Sequence, residues 1–145
     1  MCSNSQAQSA TGTQSLTAGV HHLGLSVEDV KQSAQFFCDV LQFKQVGEKS
    51  DYPAIFISDG IVMLTLWQTQ EQPVSFNRQQ NVGLHHFALK VADEATLLDL
   101  HQRLQRHPQV EIEFSPELLG ENPIKHMMCL IPGGIRMELI AMLEQ

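Results

Sequence analysis

Histidine pairs occur at two places in the chain, and the residues around them are also alike. The stretch VHHLGLSV covers residues 20–27, and LHHFALKV covers residues 84–91. Apolar residues recur at every second position in each stretch, which predicts a β-strand. Imidazole nitrogens bind metal ions and exchange protons near neutral pH. A histidine repeated at one strand position is therefore a candidate for either kind of chemistry.

Alternation along a strand separates the two members of each pair onto opposite faces. One histidine of each pair shares its face with small side chains: His22 with Gly24 and Ser26, and His86 with Ala88. Small neighbours beside an imidazole leave the room that a binding cavity requires. We therefore favour His22 and His86 as site residues and expect His21 and His85 at the strand start on the helix-packing side. The alternative is that all four are ordinary half-buried histidines.

A carboxylate usually accompanies two imidazoles at a metal site, and the last predicted strand contains one. In RMELIAM, residues 136–142, Met137 and Leu139 take the apolar face, so Glu138 points the other way. A carboxylate within an apolar strand is costly to bury unless it is paired or binds a cation. Glu138 is thus the third candidate ligand. The alternatives are a salt bridge to Arg136 or exposure at a sheet edge.

The elements that must position these residues are repeated along the chain. An offset of 64 residues superimposes the two histidine strands and places Asp29 on Asp93, at the start of a helical pattern in each copy. Each helix is followed by further strands, and the turns Asp59-Gly60 and Gly133-Gly134 separate the last two strands of each copy. A repeat of this length predicts two copies of one supersecondary unit.

The domain organisation follows from this repeat. Residues 1–16 are rich in Ser, Gln and Thr without an apolar period, which predicts a disordered tail. Residues 17–145 are predicted to form one domain of two modules, about 20–72 and 82–143.

Composition excludes several classes of protein. The net charge is −7 with only 9 Lys and Arg and no basic cluster, which argues against nucleic-acid binding. No apolar run approaches the roughly 20 residues that span a bilayer, so no membrane association is expected. The 3 cysteines form no C-x-x-C pair and no disulfide framework. We therefore expect a cytoplasmic protein.

The three site strands together resemble the signature strands of the vicinal oxygen chelate (VOC) superfamily. That group includes glyoxalase I, extradiol dioxygenases, methylmalonyl-CoA epimerase, and fosfomycin- and bleomycin-resistance proteins. The resemblance covers about residues 20–143, and its most specific part is P-x-G-x-x-x-E-L at residues 132–139. It implies an α+β fold of two βαβββ modules, the glyoxalase/bleomycin-resistance/dihydroxybiphenyl-dioxygenase-like fold, enclosing a metal-site cavity.

The resemblance also implies a ligand set. His22, His86 and Glu138 match the positions that bind a divalent metal, which in turn chelates adjacent oxygens of a substrate. Aligning the two copies places Thr65 opposite Glu138, where glyoxalase I and other isomerases have a carboxylate or amide ligand. Threonine is a weak ligand, so Thr65 is expected only to line the pocket. Two histidines and one carboxylate are the set of non-haem Fe(II) oxygenases, so Fe(II) is favoured, with Zn, Ni or Mn possible.

Other residues are assigned to the surroundings of this site. His126 is predicted to act with Glu138 as a catalytic acid or base. The alternative, which the sequence supports equally well, is that His126 is an ordinary histidine at the start of a strand. Met63, Phe56 and Trp67, with Thr65, are predicted to line the substrate pocket, although core packing explains the apolar ones equally well.

Several functions remain open from the sequence. A metal-dependent dioxygenase-like enzyme with a small-molecule substrate is favoured, and a glyoxalase I- or epimerase-type lyase or isomerase is the alternative. A metal-free protein that binds an antibiotic-like molecule, as resistance proteins do, and a dimer with a vestigial site are the non-enzymatic possibilities. A homodimer is expected, because the apolar strand positions must be covered.

Overall fold

The computed structural model describes residues 14–144, which form two modules with the same order of elements. The first module comprises β1 (His22–Val27), α1 (Val30–Leu41), β2 (Lys44–Lys49), β3 (Ala54–Ser58) and β4 (Met63–Gln68). The second comprises β5 (Phe87–Val91), α2 (Glu94–Arg106), β6 (Glu111–Leu118), β7 (Ile124–Leu130) and β8 (Arg136–Met142). The prediction of two βαβββ modules in an α+β fold is confirmed. Of the predicted disordered tail, residues 1–13 lie outside the described residues.

Each module forms one four-stranded sheet, with the orders β1-β4-β3-β2 and β5-β8-β7-β6. The first and last strands of each module are parallel neighbours, and the remaining pairs are antiparallel. The register places Gly24 beside Thr65 in the first sheet and Ala88 beside Glu138 in the second. The alignment that equates Thr65 with Glu138 is therefore correct for the backbone.

An aspartate caps the start of the helix in both modules. Asp29 accepts a hydrogen bond at Oδ1 from the amide of Gln32 (2.9 Å), and Asp93 accepts one from the amide of Thr96 (2.8 Å). These bonds satisfy amides that have no partner within the helix. The hydrogen bonds from Thr96 also hold the pKa of Asp93 below its usual range. Each helix therefore starts at a defined distance after its histidine strand.

One apolar core joins the modules. The two helices contact each other, and each packs on one face of its own sheet. The aromatic ring of Phe36 on α1 lies 5.3 Å from the ring of His107, which ends α2. The largest fully buried side chains come from both modules: Phe37, Ile57, Leu64, Leu66, Leu97, Leu104, Met127, Met137, Leu139 and Cys129. The opposite face of each sheet carries no helix of its own module and is the face that displays the site residues.

The sequence pattern is least informative for three of the strands. Strand β2 was not predicted, because its sequence KQVGEK is an almost wholly exposed edge strand without an apolar alternation. Strand β6 runs through Pro116, a residue that usually interrupts strands; proline is tolerated there because β6 is also an edge strand. Strand β5 begins at Phe87, so His85 and His86 precede the strand instead of lying in it.

The described cysteines behave as apolar residues. Cys129 is fully buried in the core, and burial raises the pKa of its thiol to about 12. Cys38 is half-buried on α1, and both thiols are unpaired. Over residues 14–144, none of the helices has the length and apolar character needed to cross a membrane.

Candidate functional site

Glu138 lies at the centre of a cluster of polar side chains on the second sheet. Its residue is only 8% exposed. The Oε1 atom lies 2.6 Å from Nδ1 of His126, and the Oε2 atom lies 3.2 Å from Nε2 of His86. Because an ionised carboxylate only accepts hydrogen bonds, the two imidazole nitrogens act as donors here. Three of the residues predicted from the sequence are therefore in contact.

Strand register explains why these side chains meet. On the face away from the helix, Glu138 has Ala88 of β5 on one side and Met128 of β7 on the other. His126 is two residues before Met128 in β7, so it shares that face. His86 is two residues before Ala88, whose small side chain leaves space for the imidazole to reach the carboxylate. The pairing of β8 with its two neighbouring strands thus positions both histidines around one acid.

Glu138 does not form the salt bridge with Arg136 that was the alternative to metal binding. Arg136 instead makes two hydrogen bonds to Glu113 of β6, from Nε to Oε2 (2.8 Å) and from Nη2 to Oε1 (2.6 Å). These bonds hold the pKa of Glu113 below its usual range. The second alternative, exposure at a sheet edge, fails as well, because β8 is an interior strand and Glu138 is buried.

His22 lies apart from this cluster. It begins β1 as an exposed residue, and its Nδ1 lies 2.9 Å from Nδ1 of His21. His85 and His86 repeat this contact at 2.7 Å. Within residues 14–144, no three His, Cys, Asp or Glu side chains are grouped so as to hold a metal ion. The three ligands expected from the sequence are therefore not assembled within one protomer.

The His86–Glu138 pair nevertheless has the geometry of two metal ligands. Two donor atoms that each lie about 2.1 Å from a metal, at a right angle, are about 3 Å apart. The observed separation of His86 Nε2 and Glu138 Oε2 is 3.2 Å. Imidazole nitrogen and carboxylate oxygen are also the donor types that divalent iron, zinc, nickel and manganese accept. The pair therefore fits two adjacent positions of a divalent metal, and a third donor must come from elsewhere.

Thr65 occupies the position equivalent to Glu138 but is not free to act as a ligand. It is 5% exposed, and its Oγ1 accepts a hydrogen bond from Nε1 of Trp67 at 3.0 Å. A side chain at Gly24 would lie 3.3 Å from the same oxygen, so the position beside Thr65 is already narrow. The hydroxyl thus orients the indole of Trp67.

Aromatic side chains cover the corresponding face of the first sheet. The ring of Trp67 lies 5.9 Å from that of Phe56 and 5.2 Å from that of Tyr52, and Nζ of Lys49 lies 5.7 Å from the centre of the Trp67 ring. Trp67, Phe56 and Met63 are half-buried and so do not belong to the fully buried core. Tyr52 was given no role from the sequence, because it lies in a turn whose position over β4 depends on tertiary packing.

The expectation for His85 is wrong. It does not face the helix: its Nδ1 lies 3.2 Å from Nη1 of Arg136. Removal from water, followed by the positive charge of Arg136 and then of His86 and Arg78, lowers the pKa of His85. The strand alternation failed because His85 precedes β5, where the period of two no longer applies.

A cavity of about 800 Å³ opens next to His85, within the size range of small-molecule sites. It is formed by the end of β1, the linker between the modules and the turn before β8. Its lining includes Gly24, Ser26, Phe76, Leu130, Ile135 and Arg136. Both modules therefore contribute to one cavity. Its lining includes none of the residues predicted to form the metal site or the substrate pocket: His22, His86, Glu138, Thr65, Met63, Trp67 and Phe56.

Comparison with known proteins is consistent with this architecture. The family model described as "Glyoxalase/Bleomycin resistance protein/Dioxygenase superfamily" matches residues 19–139. A catechol-2,3-dioxygenase of Bacillus subtilis (strain 168) is 32% identical over 89 residues, which are 59% of this chain. The chain spans only 31% of the length of that dioxygenase.

Solved structures share the fold. A glyoxylase/bleomycin resistance protein/dioxygenase domain from Frankia sp. EAN1pec superimposes with a TM-score of 0.77 at 19% identity, covering 88% of this chain and 94% of that one. A lactoylglutathione lyase from Agrobacterium tumefaciens gives a TM-score of 0.67 at 19% identity, covering 88% and 96% of the two chains. At this identity the likeness establishes the fold and leaves the reaction open.

Proposed function

The chain belongs to the Glyoxalase/Bleomycin resistance protein/Dioxygenase superfamily, and from this premise we propose that it is a divalent-metal-dependent enzyme acting on a small substrate with two adjacent oxygen atoms. The observation that carries the proposal is the pair of His86 and the buried Glu138, whose donor atoms are 3.2 Å apart. A buried carboxylate held by two imidazoles is unusual in a core that is otherwise apolar, and ligation of a cation gives it a function.

We assign His22 as the third ligand, which makes a set of two histidines and one carboxylate. Thr65 does not extend this set, because its hydroxyl is buried and bonded to Trp67. A set of this kind leaves coordination positions open for substrate and O₂, as in non-haem Fe(II) oxygenases. The proposed reaction is therefore a dioxygenation with Fe(II), which the similarity to a catechol-2,3-dioxygenase supports.

The side chains around the site have separate tasks in this proposal. A divalent cation held by His22, His86 and Glu138 would supply Lewis-acid polarisation and a template for two adjacent oxygens. In this proposal His126 keeps Glu138 oriented through the contact of its Nδ1 and exchanges a proton with substrate. The rings of Trp67, Phe56 and Tyr52 offer an apolar wall that packs on the substrate and excludes water.

Metal analysis with a turnover assay tests this function. The purified protein is expected to bind one Fe(II) per protomer and to convert a catechol only when O₂ is present. Conversion of a hemithioacetal without O₂ would instead indicate a glyoxalase-type isomerase or lyase. A protein that binds none of Fe(II), Zn(II), Ni(II) or Mn(II) above background contradicts the enzyme and favours a small-molecule-binding, resistance-type function.

We further propose a homodimer in which His22 of one protomer completes the site of its partner. Among the described elements, the modules contact each other mainly through α1 and α2, on the helix side of the sheets, so the two site faces are not packed on each other. Val20 and Ile61, next to the strand ends that carry His22 and Met63, are 75% and 95% exposed. Covering such apolar side chains favours association with a second copy.

Mixed dimers provide the decisive measurement. A His22→Ala chain and a Glu138→Ala chain, co-expressed with different tags and purified as the mixed species, form one intact site and one that lacks both ligands. We expect one Fe(II) per mixed dimer at the affinity of the parent, whereas neither variant alone binds. If the site lies within one chain, the mixed dimer has no intact site and remains metal-free. A monomer in sedimentation equilibrium at micromolar concentration also contradicts the proposal.

A further inference from the structure

Two arginines meet at the cavity between the modules, although cations are scarce in this chain. The net charge is −7, and the arginines are Arg78, Arg103, Arg106 and Arg136. Two of them, Arg78 and Arg136, line the cavity. They come from distant parts of the sequence, one from the linker and one from the start of β8. Their meeting is therefore a property of the tertiary structure.

One carboxylate is shared between these two guanidinium groups. Glu113 forms the bidentate pair with Arg136, and its Oε1 lies 3.5 Å from Nη2 of Arg78. The side chain of Arg136 is 11% exposed and that of Arg78 is 38% exposed. Glu28 also lines the cavity but forms no ion pair with either arginine in the described part of the chain. The group around Glu113 thus carries one positive charge in excess.

The position of Arg78 is defined by its turn. The amide of Asn77 donates to Oδ1 of Asn81 (2.7 Å), and the amide of Gln79 donates to Oδ1 of Asn77 (2.9 Å). These bonds fix the backbone on both sides of Arg78. A guanidinium presented from an ordered turn loses little conformational entropy on binding an anion.

The rest of the lining combines polar residues, among them Glu28 and His85, with a group of apolar side chains. The side chains of this kind are Leu25, Pro73, Val74, Phe76, Leu84, Leu130 and Ile135. A monoanion with an apolar body matches one excess positive charge next to such a surface. The planar fork of a guanidinium also suits a carboxylate.

We propose that this cavity binds an organic carboxylate, with its anionic group at Arg78, beside the Arg136–Glu113 pair, and its apolar body against Phe76, Leu130 and Ile135. Because His85 lies between Arg136 and the ligand His86, the carboxylate group sits beside the proposed metal site. The statement that this carboxylate belongs to the substrate rests on the proposed function. The binding of a carboxylate in the cavity is independent of that function.

Titration of the metal-free full-length protein with phenylacetate, followed by amide and arginine Nε–H NMR shifts, tests the binding. Phenylacetate is expected to bind at least about tenfold more tightly than phenylacetamide, since a charge-assisted hydrogen bond contributes roughly 1.5–3 kcal/mol. Arg78→Gln should lower phenylacetate affinity about tenfold by the same reasoning. Arg103→Gln, which removes an exposed pair with Asp99 on α2, should leave it unchanged.

Three results would overturn the inference: equal binding of phenylacetate and phenylacetamide, unchanged binding by Arg78→Gln, or inorganic phosphate binding as tightly as phenylacetate. Arg78 is the chosen position because it leaves the Arg136–Glu113 pair intact, and a thermal melt of Arg78→Gln verifies folding. The same titration on His86→Ala separates the two proposals. Retained phenylacetate binding without metal binding supports the carboxylate site, whether or not the enzyme proposal survives.

Discussion

Replacing His86 with alanine is expected to lower the affinity of the protein for Fe(II) by more than about a hundredfold. Loss of a group that merely orients a metal ligand costs about 10–100-fold, and His86 is proposed as a ligand itself. Its Nε2 is one of the two donor atoms that lie 3.2 Å apart at the site. The variant should still fold, because the His86 side chain is 35% exposed and precedes β5. Competition with a chelator of known affinity measures the loss.

A histidine away from the site provides the matched control for this experiment. His107 ends α2 and packs on Phe36, on the helix side of the sheets. His107→Ala removes an imidazole without touching Glu138, so its Fe(II) affinity should equal that of the parent. A His86→Ala protein that binds Fe(II) as tightly as the parent removes the basis of the metal-dependent function.

Substitution of His126 is expected to separate proton transfer from the positioning of Glu138. General acid–base catalysis contributes about 10²–10⁴-fold, so both His126→Ala and His126→Gln should lose at least about a hundredfold in turnover. Glutamine keeps an N–H that can donate to Oε1 of Glu138, whereas alanine removes it. Fe(II) affinity should therefore fall in His126→Ala by about 10–100-fold and recover in His126→Gln.

The nearby Glu117 supplies the control for His126. Its Oε1 lies 4.0 Å from Nε2 of His126, and its side chain is 62% exposed. An exposed pair at this distance contributes little, so Glu117→Gln should keep turnover and metal affinity. If His126→Gln recovers turnover as well as Fe(II) affinity, His126 only positions Glu138 and does not transfer a proton.

The modules were predictable because their signals are local. The repeated histidine strands, the aspartates that begin both helices and the turns before the last strands each depend on residues within a few positions of one another. Strand alternation likewise placed Glu138 opposite Met137 and Leu139, which are both fully buried. The same reasoning failed for β2, since an exposed edge strand has no apolar alternation to detect.

Alternation also has a limit at strand ends, as the histidine pairs demonstrate. It selected His86 correctly as the neighbour of Glu138, yet it sent His85 to the wrong side. Both residues precede β5, so their directions follow from backbone outside the ladder and from the attraction of nearby groups. The contact of His85 with Arg136 therefore could not be predicted from strand alternation.

The sequence by itself determined which face of each strand carries the site residues, because side-chain direction within a strand depends on position alone. Only the tertiary structure decided which of those residues touch. It joined His126 and His86 to Glu138, paired Arg136 with Glu113, and left His22 outside the group. Contacts of this kind depend on sheet register within the second module, which brings together residues separated by 12 or more positions along the chain.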